Sequence, residues 1–225
     1  MDYPEHTSTQ FDVELKNVCT NVLRMGEAVE NQFLLAIESL TSGDAEKIDR
    51  VINQGVEINA MEVAIDESCI NILVRRQPTA NDLRLVKTII KTINDLERIG
   101  DEAESIARSA KLIANKGSVS LPRLYQIKYV AEIALGMLRA ALAALDGMDS
   151  EAARKVRHKD TLIDEEFSSI LRHLVAYMME DNSDFSMALQ TALVARSIER
   201  AGDHAKNISA YVVYMMEGRT QKLQL

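Results

Sequence analysis

Several acids in this chain sit where a packed helix normally places apolar residues. On a helical wheel advancing about 100° per residue, Leu83, Val86, Ile90 and Ile93 fall within about 40° of Glu97. Glu97 therefore continues an apolar stripe, and Asp101 lies one turn further along it. Glu199 likewise continues the line of Phe185, Ala188, Ala192 and Ala195, with Asp203 one turn on. The small alanines there permit a neighbouring helix to approach closely. Upstream of each pair, Glu62 aligns with Val51, Ile58, Cys69 and Leu73, and Asp160 with Phe167, Leu171 and Met178; Asp164 lies close to that second line.

Counting from the turns brings these acids together. A turn centred near Thr79–Ala80 leaves Glu62 as far before it as Glu97 is after it, so an antiparallel helix pair sets them level. A turn near Asn182 sets Asp164 level with Glu199, and Asp160 with Asp203. Carboxylates at one height on one face repel, and must be protonated, matched by cations or bridged by a metal. Carboxylate-only sets suit hard cations and also iron or manganese. The alternative is that the acids lie at an exposed rim and pair with Arg or Lys. Arg98, Arg200 and Lys206 are nearby in sequence but are expected to point off the acid face. The residues alone leave both readings open.

Other chemistry is poorly represented. The histidines are His6, His158, His173 and His204, and none completes a Glu-x-x-His pair of the di-iron type. His204 points away from the Glu199/Asp203 face and is expected to be solvated. No glycine-rich phosphate loop and no motif around a Ser or Cys nucleophile is present. Cys19 and Cys69 are too far apart for a zinc pattern and read as buried apolar thiols of a reducing compartment.

The elements that must carry these acids follow from proline and glycine, which are sparse. The only prolines are Pro4, Pro78 and Pro122, leaving long intervals free to be helical. Six long helices are predicted. They run from Thr9 to Leu40, Asp44 to Gln77, Thr79–Asp82 to Lys116, Ser120–Pro122 to Gly147, Asp149 to Glu180, and Ser183–Asp184 to Gly218, with the polar residues as N-caps and the glycines as stops. The stretch Asn115–Pro122 divides the chain near its middle. DLERIGDEAESIA from Asp95 resembles SIERAGDHAKNIS from Ser197, and Val51–Asn59 lies opposite Val156–Asp164. The offset is 105 residues in the second helix of each half and 102 in the third. The expected fold is all-α, a tandem repeat of two three-helix bundles. The expected domains are a tail at 1–9, a first bundle at 10–116 and a second at 121–219.

Composition bounds the function. The 225 residues carry 26 Lys+Arg against 34 Asp+Glu, a net charge of −8, which argues against nucleic acid and against electrostatic docking on an anionic membrane. The polar start MDYPEHTSTQ is no signal peptide, and no apolar run reaches a membrane-spanning length, so a cytoplasmic protein is expected.

Glu97-Arg98-Ile99-Gly100-Asp101 and Glu199-Arg200-Ala201-Gly202-Asp203 resemble the paired E-R-x-G-D motifs of the PhoU family of phosphate-signalling proteins. Gln77-Pro78-Thr79-Ala80-Asn81-Asp82-Leu83-Arg84 resembles that family's Q-P-x-A-x-D-L-R turn, and the resemblance extends over residues 10–219. It implies a cytoplasmic, non-enzymatic, commonly dimeric regulator. Such a protein represses the phosphate-starvation response by linking the Pst phosphate ABC transporter to the sensor histidine kinase PhoR. It also implies metal ions (iron, zinc, manganese or magnesium) at Glu97, Asp101, Glu199, Asp203, Asp160 and Asp164. The first half departs from the family, with Gly55 and Asn59 in place of acids and only Glu62 retaining a carboxylate there. The second cluster is therefore expected to bind metal better than the first. The competing readings are a metal-cluster enzyme and an accessory of a low-affinity phosphate transporter.

Overall fold

A computed structural model describes residues 9–115, 124–180 and 185–218, and every regular element in them is a helix. The helices are α1 (Thr9–Ser42), α2 (Ala45–Arg76), α3 (Ala80–Ala114), α4 (Leu124–Asp146), α5 (Ser150–Glu180) and α6 (Phe185–Glu217). All six expected helices are present. The cap signals at Ser120–Pro122 and Ser183–Asp184, and residues 1–8 of the expected tail, lie outside the described residues.

The chain's punctuation explains the boundaries. Gly43 (φ 61°) stops α1 and returns its N–H to the Ser39 carbonyl at 3.0 Å. Asp44 then caps α2 by accepting from Glu46 N at 2.9 Å, and Asp149 caps α5 by accepting from the amides of Glu151 and Ala152, each at 2.9 Å. The α4–α5 turn places Met148 at φ 51°, and the α2–α3 turn places Gln77 at φ 47°, left-handed positions where glycine would be the easier residue. Thr79 ends the latter turn as N-cap of α3.

Helices α1, α2 and α3 pack against one another, as do α4, α5 and α6, and the two groups join chiefly through α3 against α6. Helix α1 also touches α4, whereas α2 and α5 lie on the outside, each held only by its own group. The heptad-like apolar positions of α3 and α6 (Val86, Ile89, Ile93, Leu96 and Ile99; Val194, Ile198, Ala205 and Ile208) are buried. The acid stripes run along the edge of this core, Val86 and Ile93 belonging to both. Leu83 and Phe185, the outer ends of those stripes, are exposed, Ile90 is half-buried, and Glu97 and Glu199 occupy the same intermediate depth.

Candidate functional site

In the second half, α5 and α6 bring Asp160, Asp164, Glu199 and Asp203 into one neighbourhood, as the turn-counting required. Asp160 is buried at 7% exposure, while Asp164 opens to solvent. Partial burial, then the charges of Asp160 and Asp203, push the Asp164 carboxyl above its usual range, with Lys206 opposing. Burial and Asp203, then Asp164, push Glu199 up in the same sense, against Arg196 and Arg200. The mutual repulsion foreseen from the spacing is thus present.

A cation already stands among these acids. The Lys206 ammonium bonds Asp160 and lies 3.4 Å from Asp203 Oδ1. The expectation that Lys206 points off the acid face is wrong: seven residues after Glu199, it stands only about 20° from it at 100° per residue, on the acid face itself. A divalent ion here would compete with that ammonium, so the second cluster as it stands does not fit a metal well.

In the first half, Glu62, Glu97 and Asp101 gather at the corresponding place on α2 and α3. Burial, then Asp101, pushes Glu97 up; Glu62 adds to the rise, and Arg98 and His204 oppose it. Arg98 does leave the acid face on the wheel, yet its side chain reaches back to lie 3.4 Å from both Glu97 and Asp101; it is half-exposed and stays at the rim. Gly55, where the resemblance implies an acid, packs against Glu104 of α3. A Cβ built on Gly55 would stand 1.8 Å from Glu104 Oε1 and 3.4 Å from Gln32 Nε2. Gln32 of α1 is fully buried. Its Nε2 donates to the Val51 carbonyl at 2.9 Å, and its Oε1 has no hydrogen-bond partner among the described residues. A Cβ built on Gly100 would stand 3.1 Å from that oxygen, which therefore lies against the α3 backbone near Ile58 of α2. Among the described residues no three His, Cys, Asp or Glu side chains are already closed to ion-binding separation, so an ion would have to draw them together.

The opposite faces of α3 and α6 carry a second polar system. Asp95, buried on α3, meets His204 Nδ1 at 2.6 Å and accepts from Asn207 Nδ2 at 3.3 Å. Burial, together with its bond to Asp95, pushes the Tyr211 phenol up. Arg200 Nε lies 3.1 Å from Glu102 Oε1, another nearly buried acid of α3. His204 is therefore not solvated, and Arg200 is not a free surface charge. Sequence reasoning missed this seam because its partners come from different halves. The available signal was that Asp95 and Glu102 lie about 140–160° from Glu97, on a face that only another helix could satisfy.

Comparison with known proteins agrees with this architecture. The family model described as PhoU domain matches twice, over residues 22–110 and 127–212. The chain is 40% identical over 215 residues to the phosphate-specific transport system accessory protein PhoU of Escherichia coli, covering 96% of this chain and 88% of that protein. It is 43% identical to the Pseudomonas putida homologue over 214 residues, covering 95% and 83%. The crystal structure of PhoU from Pseudomonas aeruginosa superposes with TM-score 0.89 at 40% identity, over 93% of this chain and all of that one. The phosphate transport system regulatory protein PhoU from Streptococcus pneumoniae superposes with TM-score 0.86 at 27% identity, over 95% of this chain and all of that one. With both halves matched and nearly its whole length aligned, the chain belongs to the PhoU family.

Proposed function

We propose that this protein is a negative regulator of the phosphate-starvation response, a cytoplasmic adaptor between the ATPase of a phosphate ABC transporter and the sensor histidine kinase PhoR. The observation that carries the reading is kinship along 96% of the chain with proteins named as accessory to phosphate-specific transport. An adaptor of this kind works by binding one state of each partner more tightly, which shifts populations and needs no bond chemistry. A non-enzymatic role accords with relatives named accessory or regulatory. No helix among the described residues is long and apolar enough to cross a membrane. A homodimer would present the docking surfaces in duplicate. A divalent or trivalent cation at the Glu62, Glu97 and Asp101 set would tie the outer helix α2 to α3.

The test is deletion of the gene in its own host, with a phosphate-starvation reporter read at high phosphate. The reporter is expected to switch on, and to fall silent again when the chain is restored. A reporter that stays silent on deletion would remove the regulatory reading. Co-purification of the chain with the transporter ATPase and with PhoR from detergent extracts tests the two contacts separately.

A further inference from the structure

Helix α2 carries an apolar stripe that no other described helix covers. Ile52, Val56, Val63, Ile70 and Val74 fall within about 40° of one another on the wheel. Ile52 is half-buried and the other four are exposed, Val56 and Val74 by 70% and 72%. Helix α2 packs only on α1 and α3, and this stripe is its outward side. The repeat supplies a control. At the offset of 105 residues, the same five places on α5 hold Arg157, Thr161, Ser168, Val175 and Met179. Three of these are polar, so the fold itself does not require an apolar surface there. Valine and isoleucine also favour a helix less than the Lys, Glu or Gln that a solvated face takes. A continuous run of them marks a surface that something else covers.

We propose that this stripe pairs with itself: two copies of the chain meet α2 against α2, antiparallel, about a two-fold axis at Val63. The spacing carries the choice of occupant. The stripe is symmetric in sequence, with Val56 and Ile70 seven residues either side of Val63, and Ile52 and Val74 eleven. A two-fold axis at Val63 therefore sets Val56 against Ile70, Ile52 against Val74, and Val63 against its own copy. Every facing pair is apolar and β-branched, as a surface that must complement itself requires. The charges accept the same register. Glu67 falls level with Asn59 of the second copy, an amide donor, and about 12 Å along the axis from the other Glu67. Arg75 comes within two residues, about 3 Å of rise, of Asp49 in the second copy. Moving the axis one turn to Glu67 would instead set two carboxylates face to face. The assignment rests on the homodimer of the reading given above and names its surface.

The experiment follows the full chain by sedimentation equilibrium between about 1 and 100 µM, the range suited to an interface one helix wide. The parent is expected to pass from monomer to dimer. Val63→Lys, which sets two ammoniums face to face, is expected to weaken the dimer by about tenfold or more, while Ser168→Lys at the matching place on α5 leaves it within about twofold. A short bis-maleimide then reads the register, the native Cys19 and Cys69 being buried. Val63→Cys is expected to link to its own copy. Val56→Cys, about 21 Å from its own copy across the axis, is not, and Val56→Cys joined with Ile70→Cys links again. Circular dichroism of each variant verifies that the helices are intact. A parent that stays monomeric overturns the assignment and the homodimer with it, and the deletion reporter still decides the regulatory reading. A dimer that keeps its affinity in Val63→Lys, or that links as readily through Val56→Cys alone, overturns the assignment alone. A Val63→Lys chain that dimerises as before but no longer co-purifies with the transporter ATPase or with PhoR gives the face to that partner and overturns self-pairing.

Discussion

Asp95→Ala tests whether the seam between α3 and α6 is a structural clasp. The substitution removes the shared acceptor of His204, Asn207 and Tyr211 while leaving all three on a helix packed against the gap. Each partly buried group left without its partner costs about 1–3 kcal/mol when fully enclosed. His204 retains 19% exposure and can recruit water, so the three together are expected to cost about 3 kcal/mol and not the full sum. For a domain of this size about 2–4 °C of melting temperature accompanies each kcal/mol, giving a fall of roughly 6–12 °C in calorimetry. Asp95→Asn keeps an acceptor of the same shape and loses only the charge, so it is expected to fall by about a third as much. Arg200→Ala, which leaves Glu102 nearly buried and unpaired, should resemble Asp95→Ala more than a surface change. A loss under about 1 kcal/mol for Asp95→Ala would refute the reasoning, because it would mean water replaces the whole network at no cost.

Two further outcomes follow from the same geometry. Glu97, Asp164 and Glu199 all have carboxyls raised in the folded state, chiefly by burial and then by neighbouring acids, so the folded chain holds extra protons just above the ordinary carboxyl range. Their contribution is complete below the unfolded values of about 4 and is lost as pH rises through the raised ones. In chelator, a Glu97→Gln, Asp164→Asn, Glu199→Gln variant should therefore gain on the parent in urea midpoint as pH climbs from about 4 toward 7, and match it at the acid end. A difference that stays flat with pH would discard this account. Gly43→Ala, at φ 61° where α1 stops, should cost about 1 kcal/mol in the same urea experiment. No loss there would mean the turn relaxes out of its left-handed conformation.

The helices were legible because their signals are local. Asp44 and Asp149 advertise caps, and Gly43, Gly147 and Gly218 advertise stops, so the expected boundaries lie within a few residues of α1–α6. The gathering of Glu62 with Glu97, and of Asp160 and Asp164 with Glu199 and Asp203, followed from antiparallel counting, since rise per residue is the same in every α-helix. What failed was the placing of the cations. Lys206 stands about 20° from Glu199 on the wheel and was legible there, whereas Arg98 reaches Glu97 and Asp101 by a rotamer that no wheel contains. The seam was hidden for a different reason. Asp95 and His204 are 109 residues apart, and nothing local to either says which helix will lie opposite. The notch at Gly55 looked like a missing ligand because a sequence shows which side chain is absent, not which neighbour moves into the space.

The central helices carry both polar systems on opposite faces, which has a mechanical consequence. On α3, Glu97 and Asp101 face α2, while Asp95 and Glu102 face α6. On α6, Glu199 and Asp203 face α5, while Arg200 and His204 face α3. A close-packed helix moves as a body, so an ion that draws α2 onto α3 loads the seam pairs on the far side of the same rod. If an ion binds between α2 and α3, hydrogen exchange at Asn207 and Tyr211 of α6 is expected to slow with it, and exchange there that ignores the ion would discard the coupling.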